Sequence, residues 1–224
     1  MTGQVDSSEA RDYPPGMRIP DSVRPLIPRK GIWNGLRTAK HFGNWRSRGY
    51  SMPAPPVVKR AVLQRWGKTG AWVETGTYLG DTTAFLGRLG STVVSIEPVA
   101  QLAEAAKSRF AGVVNIRIVN GTSEEVFEEI VSDLSGPVSF WLDGHYSGGV
   151  TFESKSKKAP ILHELDVISR HLEHLSPVTV LIDDARCFDP SVDPQYPHRR
   201  ELVAWADRNG LNWTFEHDIF VSWN

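Results

Sequence analysis

From Gly70 onward the chain alternates short apolar runs with segments of helical spacing. Runs rich in Val, Ile, Phe and Trp read as buried strands, and apolar positions recurring every three or four residues read as amphipathic helices. Strands are predicted ending at Glu74, over 93–96, 114–119 and 138–142, and over 178–182. Helices are predicted over 81–89, 100–110, 123–134 and 161–175. In the last of these, Ile161, Leu165, Ile168, Leu172 and Leu175 mark one face. Ser123 is expected to cap the third, with Glu124 and Glu125 in its first turn. A helix over 199–208 and two strands, 211–215 and 219–223, close the pattern as a hairpin around Glu216-His217-Asp218. Repeated strand–helix units predict an α/β fold. The expected form is a Rossmann-like, doubly wound, mostly parallel seven-stranded sheet with a C-terminal antiparallel hairpin.

The first sixty residues follow a different pattern. Residues 1–30 are rich in Pro, Ser and charge and read as an irregular leader. Ile32, Trp33, Leu36, Ala39, Phe42 and Trp45 suggest a short amphipathic helix. Pro53, Pro55 and Pro56 break the chain, and Pro56 suits the first turn of a helix through Trp66. The expected division is an N-terminal arm, 1–56, and one domain, 57–224.

Charge separates the same two regions. Residues 1–60 carry a net charge of +7 and residues 61–224 a net charge of −8, within a total of −1. A basic arm on an acidic body can meet an anionic partner or lie on the body itself. The basic residues lack the aromatic interleaving of a nucleic-acid binder, so no nucleic-acid partner is expected. One cysteine excludes a disulfide scaffold and a Cys-rich zinc module. No apolar run reaches the ~20 residues of a membrane span, and the first residues lack a signal-peptide core. A cytoplasmic protein with no membrane partner is expected, and a homo-oligomer is left open. Trp72, Trp141, Trp205 and Trp213 are expected in the core. Trp33 and Trp45 are expected to pack the N-terminal helix across the crevice.

Right-handed crossovers place the carboxyl ends of parallel strands on one rim, where open α/β sheets bind ligands. That rim carries Glu74, Glu97, Asn120-Gly121, Asp143 and Asp183-Asp184. So many carboxylates favour a ligand that is cationic, hydroxyl-rich or metal-bound. The first crossover holds Gly76 and Gly80, which permit a tight turn and close approach of a ligand. It is not a dinucleotide fingerprint, because Tyr78 stands where a glycine would admit pyrophosphate. Glu74 at the strand end suits an ammonium group. Glu97, 21 residues after Gly76, can accept hydrogen bonds from both ribose hydroxyls. Together they describe an adenosine-containing ligand with a positive tail and no phosphate.

Five segments carry a family resemblance: E-x-G-x-Y-x-G-x-T at Glu74–Thr82, Ile96-Glu97, Gly121–Ser123, Leu142-Asp143 and Ile182–Asp184. In this order and at these strand ends, the chain over about residues 70–224 resembles the class I S-adenosylmethionine-dependent methyltransferases. Within them it is most similar to the catechol O-methyltransferase type and the macrocin-type sugar O-methyltransferases. The resemblance implies a methyltransferase acting on a small hydroxylated acceptor, a sugar or natural-product metabolite. It implies cofactor contacts from Glu74, Gly76, Thr77, Tyr78, Gly80, Thr82, Glu97, Gly121, Ser123 and Asp143.

An oxygen-only group of Asp143, Asp183 and Asp184 favours a hard cation such as Mg²⁺. In the resembling family that ion binds vicinal acceptor oxygens and lowers the hydroxyl pKa. The alternative is that Asp183 or Asp184 pairs with Arg186 or the basic arm. The catechol type has a lysine base three residues after its first metal aspartate. Here that position is Tyr146, and the adjacent His145 is the candidate base, with Asp143 beside it. The 147–158 stretch, with Lys155, Lys157 and Lys158, reads as a loop, either simply solvated or a lid that attracts an anionic acceptor. His163, His171 and His174 are expected on the surface. Two other classes stay open: an NAD(P)-dependent Rossmann oxidoreductase, and a non-catalytic nucleoside-binding module of the same fold.

Overall fold

A computed structural model describes residues 32–143, 160–191 and 193–224, with side chains from residue 38 onward. His145 and the 147–158 loop lie outside the described residues. Two helices, α1 (Ile32–Ser47) and α2 (Pro56–Trp66), precede the first strand. Then follow β1 (Ala71–Thr75), α3 (Asp81–Leu89), β2 (Thr92–Glu97), α4 (Ala100–Arg109), β3 (Ile116–Asn120), α5 (Ser123–Ser132) and β4 (Val138–Leu142). The chain continues through α6 (Ile161–His171), β5 (Val178–Ile182), α7 (Arg199–Arg208), β6 (Asn212–Glu216) and β7 (Ile219–Trp223).

The seven strands form one sheet in the order β3-β2-β1-β4-β5-β7-β6. The first five are parallel, and β7 runs antiparallel to both β5 and β6. This is the predicted doubly wound sheet with its closing hairpin. In this order β4 lies between β1 and β5, so Asp183 is two strands from Glu74.

Side chains alternate across the sheet with period two. Val73, Phe140, Val180 and Phe220 pack under Phe127 of α5, Leu165 and Ile168 of α6, and Leu202 and Trp205 of α7. Trp72, Trp141, Leu181 and Val221 face the other way, against Val62 and Leu63 of α2 and Leu86 of α3. Burying such side chains contributes roughly 1.5–3 kcal/mol each, which fixes the strand register and so the positions of residues at the rim.

Three local expectations need correction. Thr122, not Ser123, is the N-cap of α5: Glu125 at the third helical position accepts the Thr122 N–H at 3.0 Å, half of a capping box. α6 ends at His171, and the apolar stripe continues through a turn to Leu175, which is fully buried. Trp213 is 40% exposed, because it lies on β6, an edge strand, where its indole N–H donates to Asp207. Among the described residues no helix is long and apolar enough to cross a membrane.

Candidate cofactor and acceptor site

The loop between β1 and α3 departs from ordinary backbone at three positions. Gly76, Tyr78 and Gly80 have φ of 90°, 48° and 77°. A non-glycine residue in the left-handed region costs about 1–2 kcal/mol, so the loop is held there by other contacts. The N–H groups of Gly76 and Thr77 donate to Ile96 O at 3.0 and 3.2 Å, folding the loop across the end of β2. The Tyr78 N–H donates to one Glu97 oxygen at 2.7 Å, and the Val99 N–H donates to the other at 2.9 Å. Glu97 is thereby fixed between the loop and the start of α4. Burial pushes its pKa up, against the opposing pull of the two backbone donors.

Glu74 stands beneath this loop and not on an open rim. The reason is parity: residue 74 shares a sheet face with Trp72, so its side chain turns under α3. There it is fully buried. Its Oε2 accepts the hydroxyls of Thr83 and Ser95 at 2.5 and 2.6 Å. The Ser95 hydroxyl proton is committed to Glu74, so the 2.6 Å contact between Ser95 and Thr77 is donated by Thr77. Loop, strand β2 and helix α3 are thus tied through one carboxylate. Burial pushes Glu74 up to about 7; the two hydroxyls oppose the shift and Glu97 adds to it. Glu74 Oε1 is buried with no hydrogen-bond partner among the described residues.

The remaining expected contacts surround the same loop. Thr82 is half-buried in the first turn of α3, beside the fully buried Thr83. The Gly121 N–H donates to Glu97 O at 3.2 Å, and the Asn120 side chain donates to the same carbonyl at 2.8 Å. Ser123 is buried at the start of α5. The Asp143 N–H donates to Thr75 O and the Asp183 N–H to Leu142 O, so these acids continue the ladder where β1, β4 and β5 end.

The Mg²⁺ expectation at Asp143, Asp183 and Asp184 does not fit this chemistry. Lys59, from α2, places Nζ 2.5 Å from Asp183 Oδ2 and 2.8 Å from Asp184 Oδ1. The other Asp183 oxygen accepts the Asp184 N–H at 2.7 Å. Arg186 donates to Asp184 at 2.7 Å and also pairs with Asp218, whose Oδ1 takes the Arg186 N–H. Two cations therefore stand among the carboxylates of Asp183, Asp184 and Asp218. Burial works against the Lys59 ammonium, but Asp183 and Asp184 outweigh it and its pKa is raised. Among the described residues no group of three or more His, Cys, Asp or Glu is arranged to hold a metal ion.

The alternative pairing of the diacid with Arg186 and the basic arm is what forms, but sequence reasoning does not single out Lys59, because 124 residues separate it from Asp183. It also misses Tyr196, whose ring meets Phe188 edge-on at 5.2 Å. Burial and then the neighbouring Cys187, Asp193, Asp184 and Asp143 push its phenol up. Trp45 packs edge-on against His217 at 5.5 Å, which docks α1 on the hairpin turn beside Asp218. An open groove of about 610 Å³ runs between α1 and the 53–56 segment, lined by His41, Asn44, Ser47, Arg48 and four residues ending at Pro56. Of the histidines expected on the surface, His174 is exposed, whereas His163 and His171 are half-buried, His171 against Glu128 of α5 at 2.8 Å.

No protein-family model matches the chain, and no curated protein sequence matches it. Among solved structures, the O-methyltransferase TomG of Streptomyces achromogenes, in complex with S-adenosylmethionine, is similar over 88% of this chain and 91% of its own. The identity is 17% and the TM-score 0.50. An O-methyltransferase from Bacillus cereus in complex with S-adenosylhomocysteine matches over 90% and 94%, at 15% identity and TM-score 0.48. The 23S rRNA methyltransferase ErmE matches over 75% of this chain and 66% of its own, at 15% identity and TM-score 0.48. The fold of the chain is the Rossmann-like fold of the class I methyltransferases.

Proposed function

We propose that the chain is an S-adenosylmethionine-dependent methyltransferase acting on an oxygen of a small hydroxylated acceptor. The observation that carries this reading is the pinned loop from Gly76 to Gly80, with Glu97 fixed beside it at the end of β2. TomG, which has the same fold, is an O-methyltransferase solved with this cofactor.

The residues suit the cofactor. Each Glu97 oxygen uses one lone pair on a backbone N–H and keeps a second for a ribose hydroxyl. Gly76, Thr77, Tyr78, Gly80 and Thr82 form the wall for the methionine portion, with Asp143 facing its amine. Gly121 and Ser123 border the adenine side. Glu74 is the positioning residue beneath them, acting through Thr83, Ser95 and Thr77. Bound there, S-adenosylmethionine would supply a sulfonium methyl group to the acceptor oxygen, with a neutral thioether as the leaving group.

The protein's own part is to bring the acceptor oxygen to that methyl group and to take its proton. His145 is the proposed base, two residues beyond the β4 rim residue Asp143. Proximity is the main contribution expected from such a site, since alignment of reacting atoms alone removes a large part of the barrier. The groove beneath α1 is the proposed approach for the acceptor, and its His41 and Arg48 favour one with an anionic group.

Calorimetry with S-adenosylhomocysteine and, separately, NADH tests the reading. Binding of the first and not the second is expected. Binding of NADH alone would overturn it.

A further inference from the structure

Asp183 is almost fully buried at the end of β5. Asp184 follows with a left-handed backbone, φ 50°, that no glycine relieves. That conformation turns Asp184 Oδ1 toward the same point as Asp183 Oδ2, and Lys59 Nζ occupies the point, 2.5 and 2.8 Å away. Two carboxylates so close would repel unless a cation stood between them. Here the cation is covalently part of the chain. It is delivered by α2, whose first turn is set by Pro55 and Pro56: Pro55 O accepts the Lys59 N–H at 3.2 Å.

We propose that Lys59 is the resident cation of this rim. It stands where a divalent ion would and supplies one positive charge there, so the diacid of this protein is not a metal site. Its part in catalysis rests on the methyltransferase reading, whereas its exclusion of metal does not. The ammonium has three N–H donors. Two go to the aspartates, and the third has no protein partner among the described residues on a side chain still 19% exposed. Lys59 is thus a positioning residue. It holds both aspartates in one geometry and presents a fixed charge at the acceptor side of the rim. A lysine gives this charge at one point and without the exchangeable ligand positions of Mg²⁺.

Mn²⁺, read by electron paramagnetic resonance on the whole cofactor-free protein, tests this directly. Wild type is expected to leave Mn²⁺ free in solution. Lys59→Met, which keeps length and removes charge, is expected to bind Mn²⁺ at least about tenfold more tightly than wild type, because a unit charge a few ångströms from the carboxylates is gone. Adding Asp183→Asn to that variant is expected to abolish the gain. A wild-type site for one Mn²⁺ that Asp183→Asn removes would overturn the proposal. So would a folded Lys59→Met variant with no gain. If Lys59→Met does not fold, wild type against Asp183→Asn decides. S-adenosylhomocysteine binding measured on the same wild-type sample separates a failure here from a failure of the methyltransferase reading.

Discussion

The carboxylate of Glu97 accepts the backbone N–H of Tyr78 at 2.7 Å across 19 residues of sequence. This contact joins the end of β2 to a loop residue with a left-handed backbone, and it fixes the acid beside the loop. Glu97→Gln keeps the size but turns one acceptor into a donor. A hydrogen bond involving a charged group is worth about 1.5–3 kcal/mol, so affinity for S-adenosylhomocysteine should fall roughly ten- to hundredfold by calorimetry. Unchanged affinity would remove Glu97 from the site.

Glu74 gives the protein a pH-dependent stability. Its pKa rises from 4.5 to about 7 on folding, so the folded state holds the proton more tightly than the unfolded one. The contribution is fully present below the unfolded value and is lost as pH rises through about 7. Each tenfold gain in proton affinity on folding corresponds to about 1.4 kcal/mol, giving a loss of up to about 3 kcal/mol across that window. Urea unfolding of wild type at about pH 5 and about pH 8 should show the decline. Glu74→Gln should remove this component.

Tyr78 is the one non-glycine residue among the three left-handed positions of the loop. Tyr78→Gly should leave the melting temperature unchanged or raise it, since relief of strain of about 1–2 kcal/mol offsets lost packing. Tyr78→Val should lower it, because a branched side chain tolerates that backbone least. A thermal melt of both variants checks the order.

Lys59→Met strands Asp183, which is buried, without its cation. Breaking a buried ion pair from one side costs about 3–5 kcal/mol, so a clear fall in chemical stability is expected. Mn²⁺ should restore part of it by binding only the folded diacid. Wild-type stability should not respond to the same Mn²⁺ concentration.

The fold is legible where periodicity is strong. β4, β5, α3 and α7 lie where the apolar pattern puts them, because each buries an unambiguous face. Trp213 departs from expectation because hydrophobicity does not distinguish an edge strand from a central one. At the site, strand ends are readable, since each acid directly follows an apolar run. Side-chain partners are not. Glu74 follows its parity under α3, and that depends on which face the helix covers. Thr83 and Ser95 carry no motif, and their role exists only once α3 and β2 are packed against β1. In the sequence Lys59 is one of several basic residues near the arm, and only the docking of α2 on the sheet brings it to Asp183.

The rim between β1 and β2 is proposed to bind an adenosyl group by the Glu97-anchored loop. Calorimetric titration of the full chain with S-adenosylhomocysteine tests it most directly, with NADH as the competing ligand and Glu97→Ala as the control. One site for S-adenosylhomocysteine, weakened by Glu97→Ala, and no heat from NADH are expected. Binding of NADH alone, or adenosyl binding indifferent to Glu97, would contradict it.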